Sequence, residues 1–224
     1  MTKIKICGIT TLSDAHAAIE AGADYLGFNF YPKSVRFIEV QKFIGIGTVL
    51  KKTYPSIELV GVFVNSSADE INSILKTNIL DLVQLHGDES PEFCAAFNKK
   101  AFKAFRGIRE VEEARTYARN AVPAFLVDAA VKGFYGGTGL MADWFAAARL
   151  AKHYPLFLAG GLKPENVAEA MRQVNPWGVD VASGVESSPG KKDIGKINAF
   201  IHAVRELDNE VGSKITSGSS SEKL

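Results

Sequence analysis

Residues 156–184 read LFLAGGLKPENVAEAMRQVNPWGVDVASG, and this stretch decides the fold. It contains two short apolar runs, Leu156–Ala159 and Gly178–Val181, without the polar alternation of a half-exposed strand. Such runs are typical of strands that are buried on both faces of a parallel sheet. Between them, Pro164 stands at the predicted first position of a helix. The stretch therefore predicts a unit of two parallel strands joined by a helix.

The same alternation of apolar run and amphipathic segment continues towards the N-terminus. Further runs of this kind occur at residues 4–7, 25–28, 59–64, 82–85, 101–105 and 124–127. Eight such units in about 205 residues predict an α/β protein, a single (β/α)8 TIM barrel over residues 1–207. An open, doubly wound sheet is the alternative, but it would more often have about five or six strands. The polar, serine-rich segment 208–224 is predicted to be a disordered tail.

The composition argues against several classes of protein. The 224 residues contain 26 Lys+Arg and 25 Asp+Glu, a formal net charge of +1. We expect no nucleic-acid partner, because such proteins usually carry a basic stripe. We expect no membrane partner, because no apolar run approaches the roughly 18–20 residues of a membrane span and the N-terminus lacks a signal-like apolar region. Cys7 and Cys94 make no disulfide framework, which predicts a reduced, cytoplasmic location.

Two glycine turns suggest where a ligand binds. Barrel enzymes place their sites at the C-terminal ends of the strands, and phosphate is often held after strands 7 and 8. Gly160-Gly161 and Ser183-Gly184 directly follow the last two runs, and small residues there expose backbone N–H groups to an anion. Tight strand-to-helix turns would also explain the glycines. Two such turns on adjacent strands favour the phosphate site.

Several titratable residues also follow predicted strands. Cys7 ends the first strand, where it could be a small core residue instead of a functional thiol. Asp128 ends the sixth, and partial burial would raise its pKa and keep it protonated as a general acid. Arg36, after the second strand, is a further candidate site residue, and the alternative is that it is an ordinary surface charge. Gln84 and His86 end the fourth strand, and since His86 has no metal-ligand spacing around it, we predict no metal site.

A set of short motifs points to one family. They are Lys5–Thr10, Gly22–Asp24, Gly27–Phe28, Phe30–Ser34, Gly61–Asn65, Val83–Pro91, Tyr135–Gly139, Leu158–Leu162, Pro164–Val167, and Gly178–Val181 with Ser183–Glu186. Together they resemble the phosphoribosylanthranilate isomerases of tryptophan biosynthesis. No single motif is decisive, but the set is specific and keeps its order from about residue 3 to 206. The family has the barrel fold that the apolar runs predict.

The resemblance implies a reaction. It is the Amadori rearrangement of N-(5-phosphoribosyl)anthranilate to 1-(2-carboxyphenylamino)-1-deoxyribulose 5-phosphate, an aldose–ketose isomerisation that uses no metal or organic cofactor. By resemblance, Cys7 is the general base and Asp128 the general acid. A thiol with an ordinary pKa near 8.5 needs modest lowering to act at neutral pH, and a cationic iminium beside it would help.

The resemblance also implies how the substrate is held. Arg36 would bind the anthranilate carboxylate, for which a guanidinium fork is suited. The remaining substrate-binding positions are Gln84, His86, Gly160, Gly161, Ser183 and Gly184. Several positions depart from the family pattern, among them Leu140-Met141, which replace a more polar pair after the glycine motif. Val35 replaces a common proline, which predicts a looser loop around Arg36, and Ala182 replaces a usual serine.

Two other functions stay open at this stage. A metal-dependent phosphosugar epimerase or related isomerase would share the phosphate turns, but it needs His and Asp ligands at several strand ends. A non-catalytic phosphosugar-binding barrel would need no acid and base, so Cys7 and Asp128 argue against it. In each case the partner is a small phosphorylated molecule, and the predicted assembly is a monomer or homodimer.

Overall fold

Eight parallel strands close into a barrel in chain order, with the last strand paired to the first. The computed structural model describes residues 1–106, 111–118, 122–128 and 139–218. The strands are β1 (Lys3–Cys7), β2 (Tyr25–Asn29), β3 (Glu58–Phe63), β4 (Leu82–Leu85), β5 (Ala101–Arg106), β6 (Phe125–Asp128), β7 (Leu156–Ala159) and β8 (Gly178–Val181). A short antiparallel hairpin, β9 (Glu186–Ser188) and β10 (Lys191–Lys192), follows β8. The predicted (β/α)8 TIM barrel is confirmed.

Helices follow the barrel strands as the amphipathic segments predict. They are α1 (Leu12–Ala21), α2 (Val40–Thr53), α3 (Ala68–Leu75), α4 (Pro91–Ala95), α5 (Val111–Tyr117), α6 (Gly139–Ala151), α7 (Val167–Val174) and α8 (Ile194–Gly218). Some helices begin at a capping residue. At the start of α1 the Thr11 side chain accepts a hydrogen bond from the backbone N–H of Asp14. In contrast, α7 begins after Pro164, because the Asn166 side chain accepts from the Lys163 backbone and holds a turn there.

Apolar side chains fill the barrel interior at the end where the strands begin. Tyr25, Phe102, Leu126 and Phe157 are buried there, with Trp177 packed against them. The rings of Tyr25 and Phe157 meet edge to face at 5.3 Å, and those of Phe157 and Trp177 at 5.1 Å. This aromatic layer closes the end of the barrel where the strands begin. The open end is therefore the one at which the strands finish.

The C-terminal segment differs from the disorder that the sequence predicts. Helix α8 continues to Gly218, so residues 208–218 are helical, and residues 219–224 lie outside the described part of the chain. Asp208 explains the continuation, because its carboxylate accepts from the Thr2 backbone at 2.9 Å and the Thr2 hydroxyl at 2.7 Å. Once packing fixes a helix, each further residue adds one backbone hydrogen bond at little cost. Among the described helices, none is both long and apolar enough to cross a bilayer.

Candidate active site

A cavity of about 310 Å³ opens at the C-terminal ends of the strands. All the predicted site residues except Gly184 line it, and they are Cys7, Arg36, Gln84, His86, Asp128, Gly160, Gly161 and Ser183. Its polar and small-residue lining is completed by Asn29, Ala159, Asp180 and Ala182. A larger depression of about 850 Å³, between the N-terminus, α7 and α8, contains none of the predicted residues. The fold therefore brings together residues from six regions that are far apart in the chain.

Cys7 and Asp128 approach this cavity from different sides. Cys7 is the last residue of β1 and Asp128 the last of β6, with β7 and β8 between those strands in the closed barrel. Both side chains are partly buried. A thiol and a carboxyl group on two sides of one cavity can act on opposite sides of a bound molecule.

The electrostatics of Cys7 differ from the sequence-based expectation. Burial raises the pKa of its thiol above the ordinary value, and the Asp180 carboxylate adds to this rise. The Lys5 and Lys192 ammonium groups oppose it. Lys192 lies close, because its Nζ donates to the backbone carbonyl of Cys7 at 2.6 Å. In this structure the thiol is therefore protonated at neutral pH. The two lysines reduce the rise in its pKa but do not cancel it.

Arg36 is oriented by a carboxylate that sequence analysis did not single out. Its Nε and Nη2 donate to the two carboxylate oxygens of Glu186, both at 2.7 Å. Lys192 also donates to Glu186, at 3.0 Å. These partners lower the pKa of the Glu186 carboxyl, although burial alone would raise it. Glu186 ends the motif after β8, so its position in that motif was the available signal.

The loop that carries Arg36 is held without the proline of the family pattern. The Asn29 side-chain amide donates to the Ser34 hydroxyl at 3.1 Å. The same hydroxyl accepts from the Arg36 backbone N–H, also at 3.1 Å. Val35 is 68% exposed and lies outside this network. The hydrogen bonds at Ser34 hold the loop from within, and the loosening by Val35 stays a prediction.

Gln84 and His86 form a neutral polar pair under the cavity. Their side chains meet at 3.0 Å between Nε2 of Gln84 and Nδ1 of His86. Burial, and then the nearby Arg106 guanidinium, lower the pKa of His86 to about 4, so the ring is neutral at pH 7. Gln84 is only 1% exposed, and its Oε1 has no hydrogen-bond partner among the described residues. A buried, unpartnered amide oxygen is costly unless a ligand group donates to it.

The turn after β7 has the geometry of an anion site. Gly160 and Gly161 have φ values of 93° and 65°, in the left-handed region that favours glycine. A Cβ on Gly161 would meet nothing within 4 Å, so open space lies before it. The amides of both glycines donate to no other described group. Asn166 braces the turn from behind, because its side chain donates to the Gly161 carbonyl at 3.0 Å.

Gly184 has a different role from the other predicted phosphate residues. A Cβ at this position would overlap the carbonyl oxygen of Leu162 in the turn after β7. Gly184 therefore lets the two turns pack closely together and does not itself line the cavity. Residues 129–138, which include most of the Tyr135–Gly139 motif, lie outside the described residues. Within the part of the chain that is described, no three His, Cys, Asp or Glu side chains gather as metal ligands would.

Comparisons with known proteins agree with this geometry. The family profile described as PRAI, N-(5'phosphoribosyl)anthranilate (PRA) isomerase, matches residues 4–203. The chain is 46% identical over 207 residues to the N-(5'-phosphoribosyl)anthranilate isomerase of Geotalea uraniireducens (strain Rf4), which covers 92% of this chain and 100% of that protein.

Solved structures give the same result. Phosphoribosyl anthranilate isomerase from Thermotoga maritima superposes with a TM-score of 0.79 at 38% identity, covering 92% of this chain and 100% of that chain. A phosphoribosyl anthranilate isomerase in complex with reduced 1-(o-carboxyphenylamino)-1-deoxyribulose 5-phosphate superposes with a TM-score of 0.76 at 36% identity, again over 92% and 100% of the two chains. A profile that spans nearly the whole barrel, together with a relative matched along its full length, shows that the chain belongs to the N-(5'-phosphoribosyl)anthranilate isomerase family.

Proposed function

We propose that this chain converts N-(5'-phosphoribosyl)anthranilate to 1-(2-carboxyphenylamino)-1-deoxyribulose 5-phosphate, a step of tryptophan biosynthesis. The observation that carries the proposal is one cavity with a thiol and a carboxyl group on different sides, Cys7 and Asp128. An arginine and a glycine turn stand around the same cavity, which suits a substrate with a carboxylate and a phosphate. Membership of the family supports the same reaction.

Asp128 acts first, as the general acid. Its carboxylic acid gives a proton to the furanose ring oxygen, the bond between that oxygen and C1 breaks, and the nitrogen lone pair forms an iminium at C1. Proton transfer of this kind contributes about 10²–10⁴-fold to rate. The carboxyl group stands where β6 opens into the cavity, and β7 and β8 separate it from β1 and Cys7.

Cys7 acts second, as the general base. Its thiolate takes the proton from C2 of the sugar, and the C–H electron pair moves to neutralise the iminium and form an enolamine. The enolamine then tautomerises to the ketone, which completes the isomerisation without loss or gain of atoms. A thiol whose pKa is raised by burial needs positive charge nearby for this step. The iminium of the bound intermediate supplies such a charge, in addition to the ammonium groups of Lys5 and Lys192.

Arg36 binds the anthranilate carboxylate in this proposal. Glu186 occupies Nε and Nη2 of the guanidinium, while Nη1 donates to none of the described residues. The fork is therefore fixed in direction and still has a donor to offer. A carboxylate of the substrate would gain a charge-assisted hydrogen bond there without the entropic cost of ordering the side chain.

The remaining lining residues hold the sugar phosphate. The free amides of Gly160 and Gly161, together with Ser183 at the start of the turn after β8, favour the 5-phosphate. Gln84 and His86, both neutral, provide hydrogen bonds to the ribose part without attracting the anionic ends of the substrate.

Turnover of N-(5'-phosphoribosyl)anthranilate in chelator-treated buffer tests the function. The substrate fluoresces and its loss follows the reaction. Wild-type protein is expected to turn it over at the same rate with and without chelator. Binding without turnover would identify a phosphosugar-binding barrel instead, and turnover that the chelator abolishes would identify a metal-dependent enzyme.

The setting and assembly of the protein are part of the proposal. A catalytic thiol needs a reducing compartment, and Cys7 and Cys94 are both free cysteines, which supports the cytoplasm. One related structure shows monomers generated from the dimeric phosphoribosylanthranilate isomerase of Thermotoga maritima. We infer a monomer or homodimer for this chain, and light scattering during size-exclusion chromatography distinguishes the two.

A further inference from the structure

Lys5 is a fully buried charge next to the proposed base. It stands two residues before Cys7 on β1, so the two side chains project to the same, inner side of the barrel. Lys5 is 0% exposed, and its Nζ donates to Oδ1 of Asp180 on β8 at 2.7 Å. Asp180 is 7% exposed and also lines the cavity. Neither residue is among the site residues predicted from the sequence.

The neighbouring strand shows how close the ammonium is to the thiol. Cys7 pairs in register with Gly27 of β2. A Cβ on Gly27 would lie 2.6 Å from Sγ of Cys7 and 3.1 Å from Nζ of Lys5. Both atoms therefore lie within 3.1 Å of one point. This places them close enough to each other for the ammonium charge to stabilise a thiolate. The absence of a side chain at Gly27 is what makes room for this arrangement.

Lys5 keeps its charge in spite of its burial. Burial alone would lower its pKa, but the Asp180 carboxylate and the Cys7 sulfur more than offset this, so the pKa is raised. A buried ion pair is costly to form and contributes little to stability compared with apolar residues of the same size. The Lys5–Asp180 pair lies between the aromatic layer and the cavity, and Asp180 lines the cavity. A role in the chemistry of the cavity therefore explains the pair better than a contribution to the stability of the fold does.

We propose that Lys5, held in place by Asp180, is a positioning residue that stabilises the thiolate of Cys7. The inference deepens the proposed function, since it matters for catalysis only if Cys7 is the base. Among the described residues, the other cations that face the thiol are Lys192 from β10 and Arg36 from the loop after β2, and both pair with Glu186. Of the two lysines, Lys5 opposes the raised pKa of the thiol more strongly than Lys192 does. Lys5 also forms a side-chain hydrogen bond with the Cys7 sulfur, so it is the cation that acts on the thiol most directly.

The test measures the ionisation of the Cys7 thiol without using the reaction. Cys94→Ala serves as the background, so that iodoacetamide can alkylate only Cys7, and the alkylation rate is followed against pH. Lys5→Met is expected to move the midpoint to higher pH and to cut the rate at neutral pH by about tenfold or more, one pH unit being a factor of ten in thiolate. Asp180→Asn is expected to move the midpoint to lower pH, because the thiolate then becomes the main anion beside Lys5.

Lys3→Met is the matched control. Lys3 lies on the same strand and the same side as Lys5, and it pairs with Asp24 at the far end of the barrel. This variant loses the same charge and should leave the midpoint where it is. Circular dichroism and urea unfolding check that each variant is folded. If Lys5→Met does not fold, the direction of the Asp180→Asn shift decides the matter.

Two results would overturn the inference. One is a folded Lys5→Met variant whose midpoint matches that of Lys3→Met. The other is an Asp180→Asn shift to higher pH, which would indicate general disruption of the site. Turnover of Cys7→Ser, measured in parallel, separates the two proposals. An active Cys7→Ser protein refutes the proposed base whatever the titration shows, while an inactive one with an unmoved midpoint refutes only the role of Lys5.

Discussion

Conservative replacements of Cys7 and Asp128 each remove the proton transfer proposed for that residue. Cys7→Ser keeps the size of the side chain but presents a hydroxyl that is hardly ionised at neutral pH. Asp128→Asn keeps the shape and removes the proton that can be transferred. Each variant is expected to lower kcat by at least about 10²–10⁴-fold with little change in the urea midpoint. Near-normal kcat in a folded variant would remove that residue from the mechanism.

In the proposed function Arg36 binds the carboxylate of the substrate, so its replacement should act through that group alone. Arg36→Met is expected to weaken substrate binding by about 1.5–3 kcal/mol, the scale of a charged hydrogen bond. The penalty should largely vanish for an analogue that lacks the carboxylate, and titration calorimetry measures both affinities. Glu186 keeps Lys192 as a partner in this variant, which limits damage to the loop. Equal losses with the two ligands would leave Arg36 with a structural role only.

His86 predicts a pH dependence of stability. Its pKa is lowered from 6.5 to about 4 in the folded protein, so between these values the unfolded chain binds the proton and the folded one does not. Stability is therefore complete above about pH 6.5 and falls as the pH drops towards 4. Over this range the wild type should lose about 3 kcal/mol more than His86→Gln in urea unfolding. His202→Gln, at an exposed position, should follow the wild type; parallel curves for all three proteins would contradict the prediction.

The turn after β7 can be tested against a helix with the same substitution. Gly161→Ala forces a side chain into a positive φ, and should cost about 1–2 kcal/mol and raise KM by hindering the phosphate. Gly45→Ala in α2 meets open space, and should stabilise the protein by up to about 1 kcal/mol with KM unchanged. Steady-state kinetics and urea unfolding report both effects. An unchanged KM in Gly161→Ala would move the phosphate site elsewhere.

The elements show why sequence reasoning succeeded where it did. A strand buried on both faces reads as a short apolar run, so residues 82–85 and 156–159 marked β4 and β7 with their bounds. The rule that sites follow strand ends then selected Cys7 and Asp128. The contact between Lys5 and Asp180 could not be found this way, because it depends on the register between β1 and β8. Local sequence contains no information on that register.

At the scale of the whole molecule, the first strand and the last helix are tied together. Arg205 of α8 donates to the Thr2 carbonyl at 2.6 Å and to Asp208 and Asp24 at 3.2 Å. Arg205→Met is expected to lower the free energy of unfolding by about 1–3 kcal/mol, because it leaves partly buried acceptors unpaired. The cavity lies at the opposite end of the barrel, so kcat should not change. Glu206→Gln, which breaks only an exposed pair with His202, should cost less than about 0.5 kcal/mol; equal costs would show that the network contributes nothing special.

The pairing of Lys5 with Asp180 has a consequence for how the chain becomes active. The two residues are 175 positions apart in sequence and meet only where β8 closes on β1. A nascent or truncated chain without its eighth strand already contains Lys5 and Cys7, but it lacks the carboxylate with which the ammonium pairs. Its thiol is then exposed to solvent and ionises as an ordinary cysteine does. The charged surroundings of the thiol, and the cavity that holds a substrate beside it, therefore exist only after the ring has closed.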